Sequence, residues 1–181
     1  MQNERIMAVF LGVALALIAP EAQANQGYDH SAGHRSYWSP DHALRAVVIY
    51  LKPRGYGEAE SVVKILSASG RPVAIRDYSS CGGGNGHTVV KSRWTRDSRF
   101  FVFSTESSGG HSPWHSPTHV YSRLRGKFFA LDGFVGAITT PTFRLAPPAF
   151  VTTQTLAHGV VTVDLLQIEK KLHEASEDGT F

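Results

Sequence analysis

The chain has 181 residues, 42% hydrophobic and 10% aromatic, with 18 Lys and Arg against 15 Asp and Glu, a formal net charge of +3. This apolar content excludes a chain too polar to offset its conformational entropy by burial. The mild charge, with no run of four Lys or Arg, excludes nucleic-acid binding through clustered phosphate contacts, and the single cysteine, Cys81, excludes an internal disulfide framework.

Residues 1–24 read as a secretory signal peptide. Arg5 lies in a short polar start, an apolar run extends from Met7 to Ala19, and Ala22-Gln23-Ala24 fits the small-x-small cleavage rule. The apolar run is shorter than the about 20 residues that cross a bilayer. The expectation is cleavage after Ala24, export to the periplasm or beyond the cell, and no membrane span in the mature chain. Residues 25–37 are polar and glycine-containing, which predicts a flexible leader, with a single β-rich domain over 38–174 and a frayed tail over 175–181.

Short runs rich in β-branched and aromatic residues then recur. They are Ala46–Tyr50, Ser61–Leu66, Pro72–Arg76, His87–Lys91, Phe100–Ser104, Thr118–Ser122 and Lys127–Leu131, each bounded by Gly, Pro, Ser or Asp. Turn signals at Arg54-Gly55-Tyr56-Gly57, Ser69-Gly70, Arg125-Gly126 and Asp132-Gly133 separate them. The spacing predicts antiparallel meanders rather than alternating strands and helices. Residues 139–148 carry Pro141, Pro147 and Pro148 and predict an extended connector. Only the C-terminal part has helical periodicity: Asp164 can cap, and Leu165, Ile168 and Leu172 share one face, giving a helix from about Leu165 to Glu174. The fold class expected is mostly β: blade-like antiparallel meanders, as an incomplete propeller or a sandwich, with a short C-terminal helix.

A weak repeat runs through the β part. Trp38-Ser39-Pro40-Asp41 and Trp94-Thr95-Arg96-Asp97 both open a block, both reach an Arg (Arg45, Arg99), and both lead into an apolar strand. The Asp can bond backbone amides in a tight turn, and the Trp can pack beside the strand. This pattern resembles the repeat of TolB-type and WD-repeat-like β-propellers, roughly Trp-Ser-Pro-Asp-Gly, a Lys or Arg, then an apolar strand. His42 and Ser98 stand where that family has Gly. The resemblance covers roughly residues 38–131 and implies a blade-like meander. It does not imply a closed ring, because a ring needs at least four blades of four strands.

Two segments stand out as candidate sites. The run 107–119 holds His111, His115 and His119 at every fourth position, with His-Ser-Pro written twice. Pro113 and Pro117 argue against a helix there. On a strand, neighbouring histidines would lie about 13 Å apart at ~3.3 Å per residue, too far for one zinc ion with bonds of about 2.0–2.1 Å. A metal site through His111, His115 and His119, joined by His87, therefore requires the loop to fold back. The second segment is Cys81-Gly82-Gly83-Gly84-Asn85-Gly86-His87. It reads as an irregular strand connection using left-handed backbone, with Cys81 expected to be buried as a small hydrophobe.

No Gly-x-Ser-x-Gly elbow, phosphate loop or dinucleotide fingerprint is present. Trp38, Tyr56 and Trp114 flank turns, where aromatic residues can anchor a ligand. The sequence thus points to an exported, non-catalytic binding module, with an envelope protein or a small ligand as partner. The alternative is a metal-binding protein or metal-dependent hydrolase carrying zinc or copper on the 107–119 histidines.

Overall fold

The computed structural model describes residues 28–29, 32–53, 58–81, 83–110 and 114–177. The chain is mostly β, and its strands form three antiparallel sheets in sequence order. The first comprises β1 (Tyr28–Asp29), β2 (His34–Trp38), β3 (Leu44–Pro53), β4 (Glu60–Ser67) and β5 (Pro72–Asp77), with β1 and β2 both paired to β3. The second is a four-stranded meander of β6 (His87–Trp94), β7 (Phe100–Ser107), β8 (Thr118–Ser122) and β9 (Lys127–Ala130). A short helix, α1 (Asp132–Val135), leads to the third, made of β10 (Arg144–Ala146), β11 (Phe150–Thr155) and β12 (Gly159–Asp164). Helix α2 (Leu165–Glu177) ends the described chain. The Asp164 carboxylate accepts the Leu166 amide at 2.9 Å, so this helix begins where the sequence places its cap.

Three boundaries differ from the sequence expectations. Residues 34–37 belong to β2 rather than to a flexible leader: they pair with β3 from His34 opposite Ile49 to Trp38 opposite Arg45. The backbone ladder orders a stretch whose side chains carry little apolar signal. The connector over 139–148 holds strand β10, which adds to the β11–β12 hairpin. Helix α2 runs on to Glu177, three residues past its expected end and into the segment expected to fray.

The middle sheet is buried on both faces. On one side Trp94, Phe101, Phe103 and Tyr121 meet Leu44, Ala46, Val48, Val63 and Ile65 of the first sheet. On the other, Phe100, Val102 and Val120 meet Ile138, Phe143, Val151, Leu165 and Ile168 from the third sheet and α2. This explains the unbroken apolar run Phe100-Phe101-Val102-Phe103, since a strand covered on both faces has no need of alternation. The three sheets thus stack as open layers, and no barrel closes among the described residues.

Both Trp-x-x-Asp copies fold into one and the same turn. The Ser39 and Thr95 hydroxyls each donate to the carboxylate of Asp41 or Asp97 at 2.6 Å, and accept the amide of Leu44 or Phe100 at 3.0 Å. The carboxylates in turn accept the amides of Ala43 and Arg99 at 3.2 and 3.1 Å. Ser39 and Thr95 close the turn by donating their amides to the Leu44 and Phe100 carbonyls, both at 2.9 Å. His42 (φ 57°) and Ser98 (φ 61°) adopt the left-handed backbone at the position where the propeller repeat has Gly. The turn tolerates these non-glycine residues because its hydrogen bonds offset a conformational cost of about 1–2 kcal/mol per residue.

The two turns also touch. Asp41 donates its amide to the Ser98 hydroxyl at 3.0 Å, and Trp94 Nε1 donates to the Tyr37 carbonyl at 2.8 Å. Arg123 pairs with Asp41. The Ser39 hydroxyl, followed by Arg123, holds the Asp41 carboxyl well below the usual carboxylate range.

Candidate functional site

The strands give the stack two ends. One carries the paired turns, at the starts of β3 and β7; the other carries the connectors that follow β3, β5, β7 and β9. The candidate residues divide between them. Trp38 lies at the turn end, 43% exposed, with its ring 6.0 Å from His42 and 5.3 Å from the Arg45 guanidinium. His87, His115, His119 and Trp114 lie at the connector end. A strand of eight residues separates the ends by about 25 Å. Tyr56 and His111 fall outside the described residues.

The connector end is organised by a carboxylate the sequence did not single out. Glu60 opens β4 and is fully buried. It accepts the Ser80 amide at 2.6 Å, the Gly86 amide at 2.7 Å and the Ser108 hydroxyl at 2.7 Å, with the Ser80 hydroxyl at 3.0 Å. Donors that converge in this way stabilise a buried negative charge. Ser108 donates its amide to the Gly86 carbonyl at 2.9 Å, and Glu58 donates to the Ser108 carbonyl at 3.3 Å. One side chain therefore clasps the connectors after β5 and β7, and the Glu58 amide ties the connector after β3 to the same Ser108. Gly86 is required by space: a Cβ there would stand 2.3 Å from the Tyr78 carbonyl oxygen and 2.6 Å from the Glu60 carboxylate. Cys81 is exposed, contrary to the expected burial. Glu60 grips the connector through Ser80 and Gly86, which leaves the thiol on the outer side of the loop.

His115 is fixed from the other direction. Its Nε2 lies 2.9 Å from Asp132 Oδ1, and Asp132 also accepts the amides of Thr118 at 2.9 Å and Ile138 at 3.1 Å. Ser116 donates its amide to the Ile138 carbonyl at 2.8 Å, which closes the loop onto the connector after α1. Trp114 stacks on the His115 ring, with centroids 5.4 Å apart and planes 21° apart, and is 57% exposed. The result is an indole presented to solvent on an imidazole held by a carboxylate, which two backbone amides fix in turn.

His119 faces inward and His87 is half-buried. His119 stands on β8 between Phe103 (5.3 Å) and Tyr78 (4.8 Å), and its Nε2 is 3.3 Å from the Thr105 hydroxyl. Burial pushes its pKa down to about 4, against the opposing pull of Asp132, so the ring is neutral at pH 7. His87 opens β6; burial lowers its pKa too, with Glu60 acting in the opposite sense and His115 adding to the lowering. His87, His115 and His119 thus influence one another electrostatically. Even so, no group of three or more His, Cys, Asp or Glu side chains stands in metal-binding geometry among the described residues.

In chemical terms, an Asp-fixed imidazole can hold or pass a proton. Among the described residues no hydroxyl or thiol is bonded to His115. Glu60 and Ser108 were missed because each reads locally as an ordinary polar residue at a strand end. For Asp132 the Asp-Gly turn signal marked the position but not its three partners. No protein-family model matches this chain, and no curated protein matches it.

Proposed function

We propose that the protein is an exported, non-catalytic binding module of the cell envelope whose contact surface is the connector end, with Trp114 as its anchor. The observation that carries this reading is the exposed Trp114 indole stacked on a His115 ring that Asp132 immobilises. An aromatic residue held rigid before binding loses little entropy when it meets a partner, and such residues dominate binding energy. The ring-bearing class of ligand, a sugar or a partner's aromatic side chain, matches a flat exposed indole.

The test is photo-crosslinking in the envelope of the producing cell. A crosslinker at position 114 yields a discrete adduct. The same group at exposed Leu156 yields none. Equal labelling from both positions, or turnover of an envelope substrate by the purified chain, rejects the reading.

Metal binding is the second reading, favoured by the convergence of His87, His115 and His119 on one end. It requires His115 to bind zinc or copper through Nδ1 or to leave Asp132. Elemental analysis of protein purified without chelator decides it: one metal per chain, lost in His115→Ala, would place this reading first.

A further inference from the structure

At the turn end, between the β8–β9 turn and α2, lies a cavity of about 540 Å³. Leu124, 75% exposed, and Leu166, half-buried, give it an apolar wall. Arg99, Arg125, Lys127 and Lys170 line it; Lys170 stands 3.8 Å from Glu174, so Arg125 and Lys127 are its main source of uncompensated positive charge. Glu169 is the one carboxylate in the lining, and it is already neutralised: it pairs with Arg99 at 2.7 Å and accepts the Ser122 hydroxyl. That half-exposed ion pair, with Glu169 as its buried member, ties α2 to the middle sheet. Arg125 and Lys127 belong to no ion pair among the described residues.

We infer that this cavity binds a small amphipathic carboxylate, its tail against Leu124 and Leu166 and its head among the cations. The volume lies in the range of small-ligand sites, about 300–1,000 Å³. The charge settles the head group: cations gathered around an apolar wall favour an anion over a neutral or cationic tail-bearing molecule. The arginine and lysines also keep long methylene stems that can extend the apolar wall. This site is independent of the Trp114 surface and lies at the opposite end of the stack.

Calorimetric titration of the full chain tests it with three probes: octanoate, octan-1-ol and acetate. Octanoate binds one per chain, octan-1-ol at least about tenfold more weakly, and acetate without saturation. Decanoate, two methylenes longer, binds about 15-fold more tightly than octanoate, at about 0.8 kcal/mol per buried methylene. The Arg125→Glu/Lys127→Glu double variant weakens octanoate at least about tenfold and leaves octan-1-ol unchanged. Leu124→Ser weakens the alcohol and the carboxylate alike. These side chains are solvent-accessible, and an unchanged melting curve confirms that each variant folds. The proposal is overturned if octanoate shows no saturable binding, if octan-1-ol or acetate binds as tightly as octanoate, or if the double variant binds octanoate like the parent.

Discussion

The two ends of the stack are built on opposite plans. At the turn end, two different sequences, Trp38-Ser39-Pro40-Asp41-His42 and Trp94-Thr95-Arg96-Asp97-Ser98, give one hydrogen-bond pattern within 0.2 Å. At the connector end, segments of unlike length and composition are gathered by Glu60 and Asp132, each drawing on donors far along the chain. A local hydroxyl and carboxylate, two residues apart, suffice to repeat a turn. A single surface made from unrelated connectors needs acceptors that gather donors from several of them. Connectors carried on a rigid scaffold are also where binding residues concentrate.

Variants can break this contrast, and the connector end should give the largest effects. Glu60→Ala strands the amides of Ser80 and Gly86 and costs about 3–5 kcal/mol in urea unfolding. Gly86→Ala forces a Cβ onto a backbone carbonyl and costs about 3 kcal/mol. A loss below about 1 kcal/mol in both would mean that the clasp is dispensable.

Acid should act next, through His119. Its folded pKa of about 4 lies below its ordinary value of 6.5. The folded state therefore disfavours the protonated ring. The related stability is complete above pH 6.5 and is lost as pH falls toward 4, on the order of 3 kcal/mol if the unfolded ring is unperturbed. Unfolding curves between pH 7 and 4 read this slope, and His119→Phe should flatten it. A variant slope equal to the parent's would assign the acid sensitivity elsewhere.

The turn end predicts equality. Ser39→Ala and Thr95→Ala should each cost about 1–2 kcal/mol and agree within about 0.5 kcal/mol. Unequal losses would show that the repeat is geometric only. Asp41 adds an asymmetry, since Arg123 pairs with it. Because the folded Asp41 pKa is depressed, its contribution is present above the ordinary value of 3.8 and fades as pH falls below it. Asp41→Asn and the parent should therefore converge in stability in strong acid. The smallest effect has the opposite sign: His42→Gly relieves a left-handed residue and raises stability by about 1 kcal/mol. A melting temperature unchanged or lowered by this variant would indicate that the His42 contact with Trp38 outweighs the strain.

The turn end was largely legible in the sequence, and the connector end was not. Trp-x-x-Asp before an apolar strand is a local signal, and its partners lie within five residues. Strands β3 to β9 were equally legible, because Val, Ile and Phe mark them; β1 and β2 were not, since they fall in a polar stretch held only by its pairing to β3. The third sheet was obscured by composition: Thr152, Thr153, Gln154 and Thr155 in β11 carry weak apolar contrast, and prolines flank β10. Glu60 could not be read at all. Beside Ser61 and Val62 it looks like a solvated strand end, and only the fold brings Ser80, Gly86 and Ser108 to its oxygens. The histidine spacing drew attention to the connector end, where His115 and His119 lie. Their separation into a solvent-side His115 and an inward His119 depended on the connector's path.

Strand β7 has a consequence for how the molecule comes apart. Its Phe101 and Phe103 belong to one core, and its Phe100 and Val102 to the other. The two cores are therefore not independent reservoirs of stability but the two sides of one wall. Melting either one uncovers half of the strand on which the other is built. The chain should thus unfold in a single cooperative step, with fluorescence from buried Trp94 and far-ultraviolet dichroism reporting the same midpoint.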